Sequence, residues 1–266
     1  MSIPIFQVDA FTHELFKGNP AAVCVLNEQR DLAWMQEVAA EMNLSETAFL
    51  LPQRDGSFSI RWCTPTVEVD LCGHATLASS HVIFETGMVE PDAQIRFESR
   101  SGPLGARRSG HWIELDFPAC PESAIEPPPE LALALGIKPK YAGKNVDDYL
   151  VMVDSERIVR EMRPDFARLK QSATKGRGVI VTAAADTPGF DFISRFFAPG
   201  VGIDEDPVTG SAHCCLGPFW MERLHKSEFT AYQASPRGGI VRVRVAGDRV
   251  VLGGEAVTVF KGELVE

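Results

Sequence analysis

The chain has 266 residues, of which 45% are hydrophobic and 23% are charged, so it can bury a sizeable core as one large domain or two ordinary ones. Its net charge of -10 argues against nucleic acid and anionic membranes as partners, because both require clustered Lys and Arg. The amino terminus does not resemble a signal peptide, and no apolar run reaches the length of a membrane span. These features predict a cytoplasmic protein, and the six cysteines, which form no dense framework, are expected to be reduced.

The first half of the chain combines strand patterns with two helix patterns. The apolar runs IPIFQVDAF and AAVCVL flank the loop HELFKGNP, which predicts a hairpin-like opening. Apolar residues recur at helical spacing over 31–42, so we expect a helix with Asp31 at its N-cap and Asn43 at its end. The strand patterns TAFLLP and FSIRWCTP precede residues 73–85, which are apolar or small nearly all round. That composition predicts a buried helix.

The second half begins at a proline-rich segment, residues 117–130, which predicts an interdomain linker. Strand patterns follow in YLVMVD, GVIVTAAA and FISRFFAP, helix patterns begin at ELALALG and RPDFARLK, and the tail alternates as strands do. The organisation predicted is two domains, residues 1–120 and 121–266, and the last strand of the chain can return to the first domain.

Two stretches about half the chain apart repeat each other. IRWCTP and SRFFAP share Arg, an aromatic residue and Pro, and their arginines, Arg61 and Arg195, are 134 residues apart. Each stretch is followed by an acidic loop, a turn and an apolar helix, and three extra residues in the second loop align CGHA, from Cys72, with TGSA, from Thr209. The pattern indicates a duplicated half, against the alternative of chance matching between small residues.

Two helix beginnings, at Gly73 and Gly210, are candidates for ligand binding. If a pseudo-twofold axis relates the halves, both beginnings face one cleft, where their unpaired N–H groups and helix dipoles favour a small anion such as a carboxylate. The polar side chains near these helices that we expect to line the same cleft are Glu46, Asp70, His74, Asp206 and Ser211.

Four motifs, DAFTHELFKGNPAAVC, NLSETAFLLP, CGHATLA and DEDPVTGSAHC, together resemble those of the PhzF family of phenazine-biosynthesis-like proteins. The resemblance runs from the first strand to the last. It implies an α/β (α+β) fold of the diaminopimelate epimerase type, with two pseudo-symmetric domains that each curl a sheet around a central helix. It also implies a homodimer, an active site between the domains that needs no cofactor, and a proton-shifting isomerase activity on a small, cyclic, unsaturated carboxylic acid.

The resemblance also implies roles for individual residues. Glu46 matches the acid/base glutamate, which takes a proton from one carbon and returns one to another, although its local sequence alone would suggest an exposed turn residue. His74 and Asp206 match catalytic polar residues that grip the substrate. The substrate-binding positions that match are Gly73, Gly210 and Ser211. Because proton removal next to an unsaturated acid spreads negative charge towards its carboxylate, donors at helix beginnings stabilise the transition state.

Three other functions stay open on the sequence. The first is a racemase or epimerase that uses two cysteine thiols to transfer protons. This sequence has only one of them, Cys72, because the equivalent position is Thr209, whose hydroxyl is too weakly acidic for that proton transfer. A zinc hydrolase would use Cys63, Cys72, His74 and His81, but this spacing matches no common ligand pattern, so no metal is expected. A binding protein would hold a small anionic metabolite without turnover.

Overall fold

The computed structural model describes residues 2–172 and 177–265, and the chain divides into two compact units. Unit 1 comprises Met1–Phe117 and Gly253–Glu266, and unit 2 comprises Pro118–Leu252. The last strand therefore belongs to unit 1. Within the two described ranges, none of the helices combines the length and the apolar composition that crossing a bilayer requires.

Strands dominate both units, with a few helices between them. The strands are β1 (Ile3–Ala10), β2 (Asn19–Val25), β3 (Glu46–Pro52), β4 (Phe58–Cys63), β5 (Glu68–Val69), β6 (Ile95–Ser99), β7 (Gly102–Ser109), β8 (Trp112–Pro118), β9 (Ser123–Ala124), β10 (Tyr141–Lys144), β11 (Asp148–Met152), β12 (Gly178–Ala184), β13 (Phe192–Ala198), β14 (Ile203–Asp206), β15 (Glu228–Gln233), β16 (Gly239–Ala246), β17 (Arg249–Gly254) and β18 (Ala256–Leu264). The α-helices are α1 (Leu32–Met42), α2 (Gly73–Glu85), α3 (Pro129–Leu135), α4 (Glu156–Glu161), α5 (Phe166–Ser172) and α6 (Gly210–Leu224).

Unit 1 is a mixed sheet in which antiparallel pairs predominate. β1 is antiparallel to β2 and β18, β2 is parallel to β3, and β3 is antiparallel to β4. β4 is parallel to β6 and carries the short antiparallel strand β5, and β7 is antiparallel to both β6 and β8. The helices α1 and α2 lie in the connections between the parallel pairs, as parallel pairing requires. The β1–β2 pair confirms the predicted hairpin.

Unit 2 repeats this order of pairings. β10 is antiparallel to β11, β11 is parallel to β12, and β12 is antiparallel to β13. β13 is parallel to β15 and carries the short antiparallel strand β14, and β15 is antiparallel to β16. Helix α6 lies between β14 and β15, just as α2 lies between β5 and β6. The predicted duplication is therefore confirmed in the topology.

An arginine–glutamate pair is repeated as well. Arg61 on β4 donates from Nε and Nη2 to the two carboxylate oxygens of Glu68 on β5, over 2.6 and 2.9 Å. Arg195 on β13 donates in the same way to Glu205 on β14, over 2.6 and 2.7 Å. Such bidentate pairs fix geometry as well as charge. In each unit the pair holds the short strand that leads into the long helix.

The two long helices, α2 and α6, are buried. Every residue of α2 from His74 to Ser80 is buried, and the helix packs on β1, β2, β3 and β18. Helix α6 packs on β16, where a Cβ at Gly217 would lie 3.0 Å from the side chains of both Val243 and Val245. Small residues thus let the sheets approach the helices closely, and the predicted buried helix is confirmed.

Only some of the shorter helices and strands were predicted from the sequence. Helix α1 has the predicted N-cap, since Asp31 Oδ1 accepts from Trp34 N over 2.8 Å, and it ends at Asn43 in the left-handed region at φ 49°. The proline-rich segment contains β9 and leads directly into α3. The sequence patterns missed α4, the two-residue strands β5 and β9, and the longer strands β6, β7, β10, β14 and β15. Short or weakly alternating segments carry too little periodicity to be recognised.

Candidate functional site

Three side chains of unit 1 meet where α2 begins. His74 Nε2 lies 3.2 Å from Glu46 Oε2, and His74 Nδ1 lies 3.5 Å from Cys72 Sγ. One donor atom from each of the three residues lies within 4.8 Å of the others. The structure therefore brings together two of the residues predicted to be catalytic, Glu46 and His74, and adds Cys72 to them.

The backbone fixes this cluster through three different elements. Glu46 is the first residue of β3, opposite Ala21 on the parallel strand β2, and so it does not lie in a free turn as its local sequence suggests. Cys72 is the extended N-cap residue of α2, and His74 lies in the first helical turn. The strand end and the helix beginning hold the carboxylate and the imidazole side by side.

Burial decides the charge state of His74. Loss of solvation lowers the pKa of His74 to about 3, so the imidazole is neutral near pH 7. Although His74 Nε2 is close to Glu46, it makes no hydrogen bond of good geometry with the residues that the structure describes. The Glu46 side chain is 14% exposed, against 7% for His74. A small ligand can thus reach the carboxylate with a polar imidazole nitrogen beside it.

The carboxylate, thiol and imidazole of this cluster are all groups that can bind metal ions. Cys72 Sγ lies beside Nδ1 of His74 while Glu46 lies beside Nε2, so the two groups contact opposite nitrogens of the imidazole. The structure does not assemble the zinc set considered from the sequence. Cys63 belongs to a hydrophobic core cluster, and His81 Nε2 contacts Thr258 Oγ1 over 3.1 Å.

In unit 2, the residues around the beginning of α6 form a hydrogen-bonded network. Thr209, the N-cap residue, donates from Oγ1 to Asp206 Oδ2 and from its backbone N to Gln233 Oε1 over 2.9 Å. Gln233 Nε2 donates to Asp206 O over 2.8 Å. Asp206 is buried and held in place by these contacts. Gln233 was missed in the sequence because it closes β15 and belongs to no motif.

Ser211, in the first turn of α6, contacts an arginine that the sequence analysis also missed. Arg177 Nη2 donates to Ser211 Oγ over 2.9 Å and to Asp148 Oδ2 over 2.7 Å, and Arg177 Nε donates to Asp148 Oδ1 over 3.2 Å. Burial opposes the guanidinium charge, but hydrogen bonding and the charges of Asp148, Asp147 and Asp206 raise the pKa of Arg177. Arg177 is therefore a permanent cation beside Ser211.

The helix beginnings at Gly73 and Gly210 share a further property. Neither N-cap side chain accepts a hydrogen bond from the first helical turn. Since the first N–H groups of a helix have no partner within it, both beginnings keep backbone donors for a ligand. Asp70, expected near them, is instead 70% exposed and pairs with Arg100 over 3.2 Å. The structure does not bring Asp70 into the Glu46 cluster.

Comparisons with known proteins agree with these features. The family model described as "Phenazine biosynthesis-like protein" (PhzC-PhzF) matches residues 8–262. The chain is 56% identical over 265 residues to an uncharacterized isomerase of Halalkalibacterium halodurans, with 99% of each chain covered. It is similar to the crystal structure of a phenazine biosynthesis protein of the PhzF family from Enterococcus faecalis, with 45% identity, a TM-score of 0.95 and 100% of both chains covered. A hydroxyproline epimerase from Agrobacterium vitis, at 12% identity and a TM-score of 0.64 over 99% and 92% of the chains, shares the fold.

Proposed function

Since the chain belongs to the phenazine biosynthesis-like (PhzC-PhzF) family, we propose that it is an isomerase that moves a proton between two carbons of a small unsaturated carboxylic acid. The family and its epimerase-like α/β fold were predicted from four motifs, and both are confirmed. An isomerase or epimerase type of function is supported by the relatives. The reaction at Glu46 and the class of substrate are the finer parts of the proposal.

The contact between Glu46 and a neutral His74 carries the proposal. A general base must hold an accessible lone pair next to the carbon that loses its proton. An imidazolium 3.2 Å away would stabilise the carboxylate charge and so weaken Glu46 as a base. Because burial keeps His74 neutral, the imidazole can orient the substrate or the carboxylate without that cost.

The proposed reaction balances without an oxidant or reductant. Glu46 accepts a proton as one C–H bond of the substrate breaks, and the electron pair spreads over the unsaturated system towards the substrate carboxylate. Glu46 then returns a proton to another carbon, where a new C–H bond forms. Stabilisation of the delocalised anion requires fixed hydrogen-bond donors, and we assign that role to the backbone N–H groups near Gly73 and Gly210 and to Ser211.

In unit 2, we assign a catalytic role to Asp206. Its carboxylate already accepts a hydrogen bond from Thr209, and its backbone is held by Gln233, so it is suited to gripping a substrate in one fixed position. The finer proposal is that Asp206 and Ser211 contact the substrate.

A two-thiol epimerase is the less favoured alternative. Cys72 has the position of one thiol, but the equivalent Thr209 donates its hydroxyl proton to Asp206 and is not a thiol. Only one face of a substrate carbon could therefore meet a sulfur atom, and Cys72→Ser is expected to keep most of the isomerase activity.

Deuterium incorporation tests the function. The full chain is incubated in deuterated water with cyclohexene and cyclohexadiene carboxylic acids and, separately, with proline and hydroxyproline, and the carbon positions that exchange are identified by NMR. We expect exchange and a shifted double bond in at least one unsaturated acid, in the wild type and in Cys72→Ser alike. Exchange confined to the amino acids and lost in Cys72→Ser would identify an epimerase instead. Tight binding of acids with no exchange in any of them would identify a binding protein.

A further inference from the structure

The position in unit 2 that corresponds to Glu46 holds no acid. Arg61 lies opposite Phe49, three residues after Glu46, and Arg195 lies opposite Val181, three residues after Gly178. Gly178 is thus the equivalent of Glu46. A Cβ there would lie 2.4 Å from Phe196 Cζ and 2.9 Å from Phe197 O, so a side chain would force its neighbours to shift. The residue just before Gly178 is Arg177, which contacts Ser211.

Arg177 sets the direction of the hydrogen bond at Ser211. A guanidinium has donors and no acceptor, so Ser211 Oγ must accept from Arg177 Nη2, and the Ser211 hydroxyl proton must point to another acceptor. Across the two ranges that the structure describes, no residue accepts that proton. Because Ser211 is only half-buried, a ligand can supply the acceptor.

Asp148 holds the Arg177 guanidinium in place but leaves it accessible to solvent. The Asp148 side chain is 2% exposed and holds Arg177 through two hydrogen bonds, while the Arg177 side chain is 39% exposed. The third nitrogen, Nη1, has no hydrogen-bond partner in residues 2–172 or 177–265. A planar guanidinium held in this way presents its remaining N–H groups in a fixed direction, and this geometry matches a carboxylate.

We propose that Arg177 is a specificity-determining residue, which makes the site at Ser211 select the ionised carboxylate of the substrate over an uncharged acyl group. The inference rests on the proposed function and deepens it, since it names the charged group by which the substrate is recognised. Arg177 acts in two ways: it holds the Ser211 hydroxyl as a donor towards the ligand, and it adds its own positive charge beside it. Both groups therefore reject a ligand that presents N–H groups in place of an oxygen.

Binding of a matched acid and amide tests this assignment. The probes are cyclohex-1-ene-1-carboxylate and cyclohex-1-ene-1-carboxamide, titrated by NMR against the full chain. We expect the wild type to bind the acid more tightly than the amide. Arg177→Gln should weaken acid binding about 10- to 100-fold, the range for loss of a charge-assisted hydrogen bond, and change amide binding less than about 2-fold. Arg177→Lys should recover part of the affinity, and the control Arg168→Gln, on the exposed surface of α5, should match the wild type.

Loss of Arg177 leaves the buried Asp148 without its ion-pair partner, so folding needs its own control. The double variant Arg177→Gln/Asp148→Asn removes that unpaired charge, and thermal unfolding verifies that it folds. The assignment is overturned if the folded double variant binds the acid as tightly as the wild type does, or if the wild type shows no preference for the acid. Once a substrate is known, Arg177→Gln should raise KM far more than it lowers kcat. A wild type that prefers the acid but never exchanges deuterium would contradict the isomerase proposal and leave this one standing.

Discussion

The beginnings of α2 and α6 occupy equivalent places in a duplicated fold but carry different chemistry. At α2, Glu46 and His74 place a carboxylate beside a neutral imidazole. At α6, the equivalent of Glu46 is Gly178, and the neighbouring polar groups are Ser211 and the cation Arg177. One unit thus offers a proton acceptor and the other offers hydrogen-bond donors with a positive charge. The comparison shows that the two units share a scaffold while the side chains at their helix beginnings differ in chemistry.

What the two units share is structural. The bidentate pairs Arg61–Glu68 and Arg195–Glu205 occupy the same place in both topologies, next to the strand that leads into the long helix. We therefore expect the shared pairs to contribute to folding and the unshared residues to contribute to ligand binding.

The largest effect is expected at the arginine of unit 2. Arg195 is 7% exposed and also donates to Val159 O and Met162 O, over 3.2 and 3.0 Å. Arg195→Gln should lower the free energy of unfolding by about 3 to 5 kcal/mol, because it leaves a carboxylate that is only 12% exposed without its ion-pair partner and removes the two contacts to backbone carbonyls. Arg61→Gln should cost about 1 to 2 kcal/mol, since Glu68 also accepts from Arg100 over 2.7 Å. Urea unfolding measures both losses of stability. Equal losses would contradict the expectation that the Arg195–Glu205 pair stabilises the protein more than the Arg61–Glu68 pair does.

Gly178 gives the next largest effect. A methyl group there would contact Phe196 Cζ at 2.4 Å and Phe197 O at 2.9 Å. Gly178→Ala should therefore lower the free energy of unfolding by about 1 to 3 kcal/mol, the range for overpacking a filled core. The control is Gly200→Ala, where no atom lies within 4 Å of the added Cβ. A Gly178→Ala protein as stable as the control would mean that unit 2 has room for a side chain at the position of the base.

Acid pH should destabilise both units through one buried histidine each. Burial lowers the pKa of His74 to about 3 and that of His213 to about 4, although the Thr209 carbonyl contact raises the latter. As pH falls below the unfolded value of about 6.5, the unfolded chain gains protons that the folded chain does not bind, so stability falls until the folded pKa is reached. At pH 5 the loss is about 2 kcal/mol for each histidine.

The measurement is urea unfolding at pH 7 and pH 5 for the wild type, His74→Gln and His213→Gln. Each variant should lose less stability between the two pH values than the wild type loses. His111→Gln, at an exposed position, should behave as the wild type does. If His74→Gln and His213→Gln keep the full pH dependence, the two imidazoles are not held neutral by burial.

The smallest effect is expected for the Ser211 hydroxyl. Ser211→Ala removes one donor towards the ligand but leaves Arg177 and the first-turn amides in place, so it should raise KM about 3- to 10-fold with kcat nearly unchanged. The exposed Ser227→Ala is the matched control in the same unit. Steady-state kinetics on a substrate from the exchange screen separates the two constants. A fall in kcat alone would place Ser211 with the proton-transfer groups.

Much of the fold could be predicted from the sequence, because patterns among neighbouring residues determine its helices and repeats. The repeated Arg and Pro, the helical spacing over 31–42 and the small, apolar composition of α2 each concern neighbouring residues, and the structure agrees with all three. The motif that contains Glu46 indicated its role, but its local sequence suggested a turn, and only the pairing with β2 shows that it begins a strand.

The rest of the site depends on contacts between distant residues. Arg177 and Ser211 are 34 positions apart, and Arg177 and Asp148 are 29 apart, so no local pattern connects them. Gln233 reaches Thr209 from a strand end 24 positions away.

The central claim, that Glu46 is the proton-transfer base, is tested most directly by Glu46→Gln, which keeps the size of the side chain and removes its basicity. Turnover and ligand affinity are measured on one substrate that the wild type isomerises, with Glu41→Gln on the exposed surface of α1 as the control. We predict that kcat falls about 10²-fold or more while affinity changes little, because a base acts in the transition state and not in the bound ground state. A Glu46→Gln protein that retains full turnover would contradict the account.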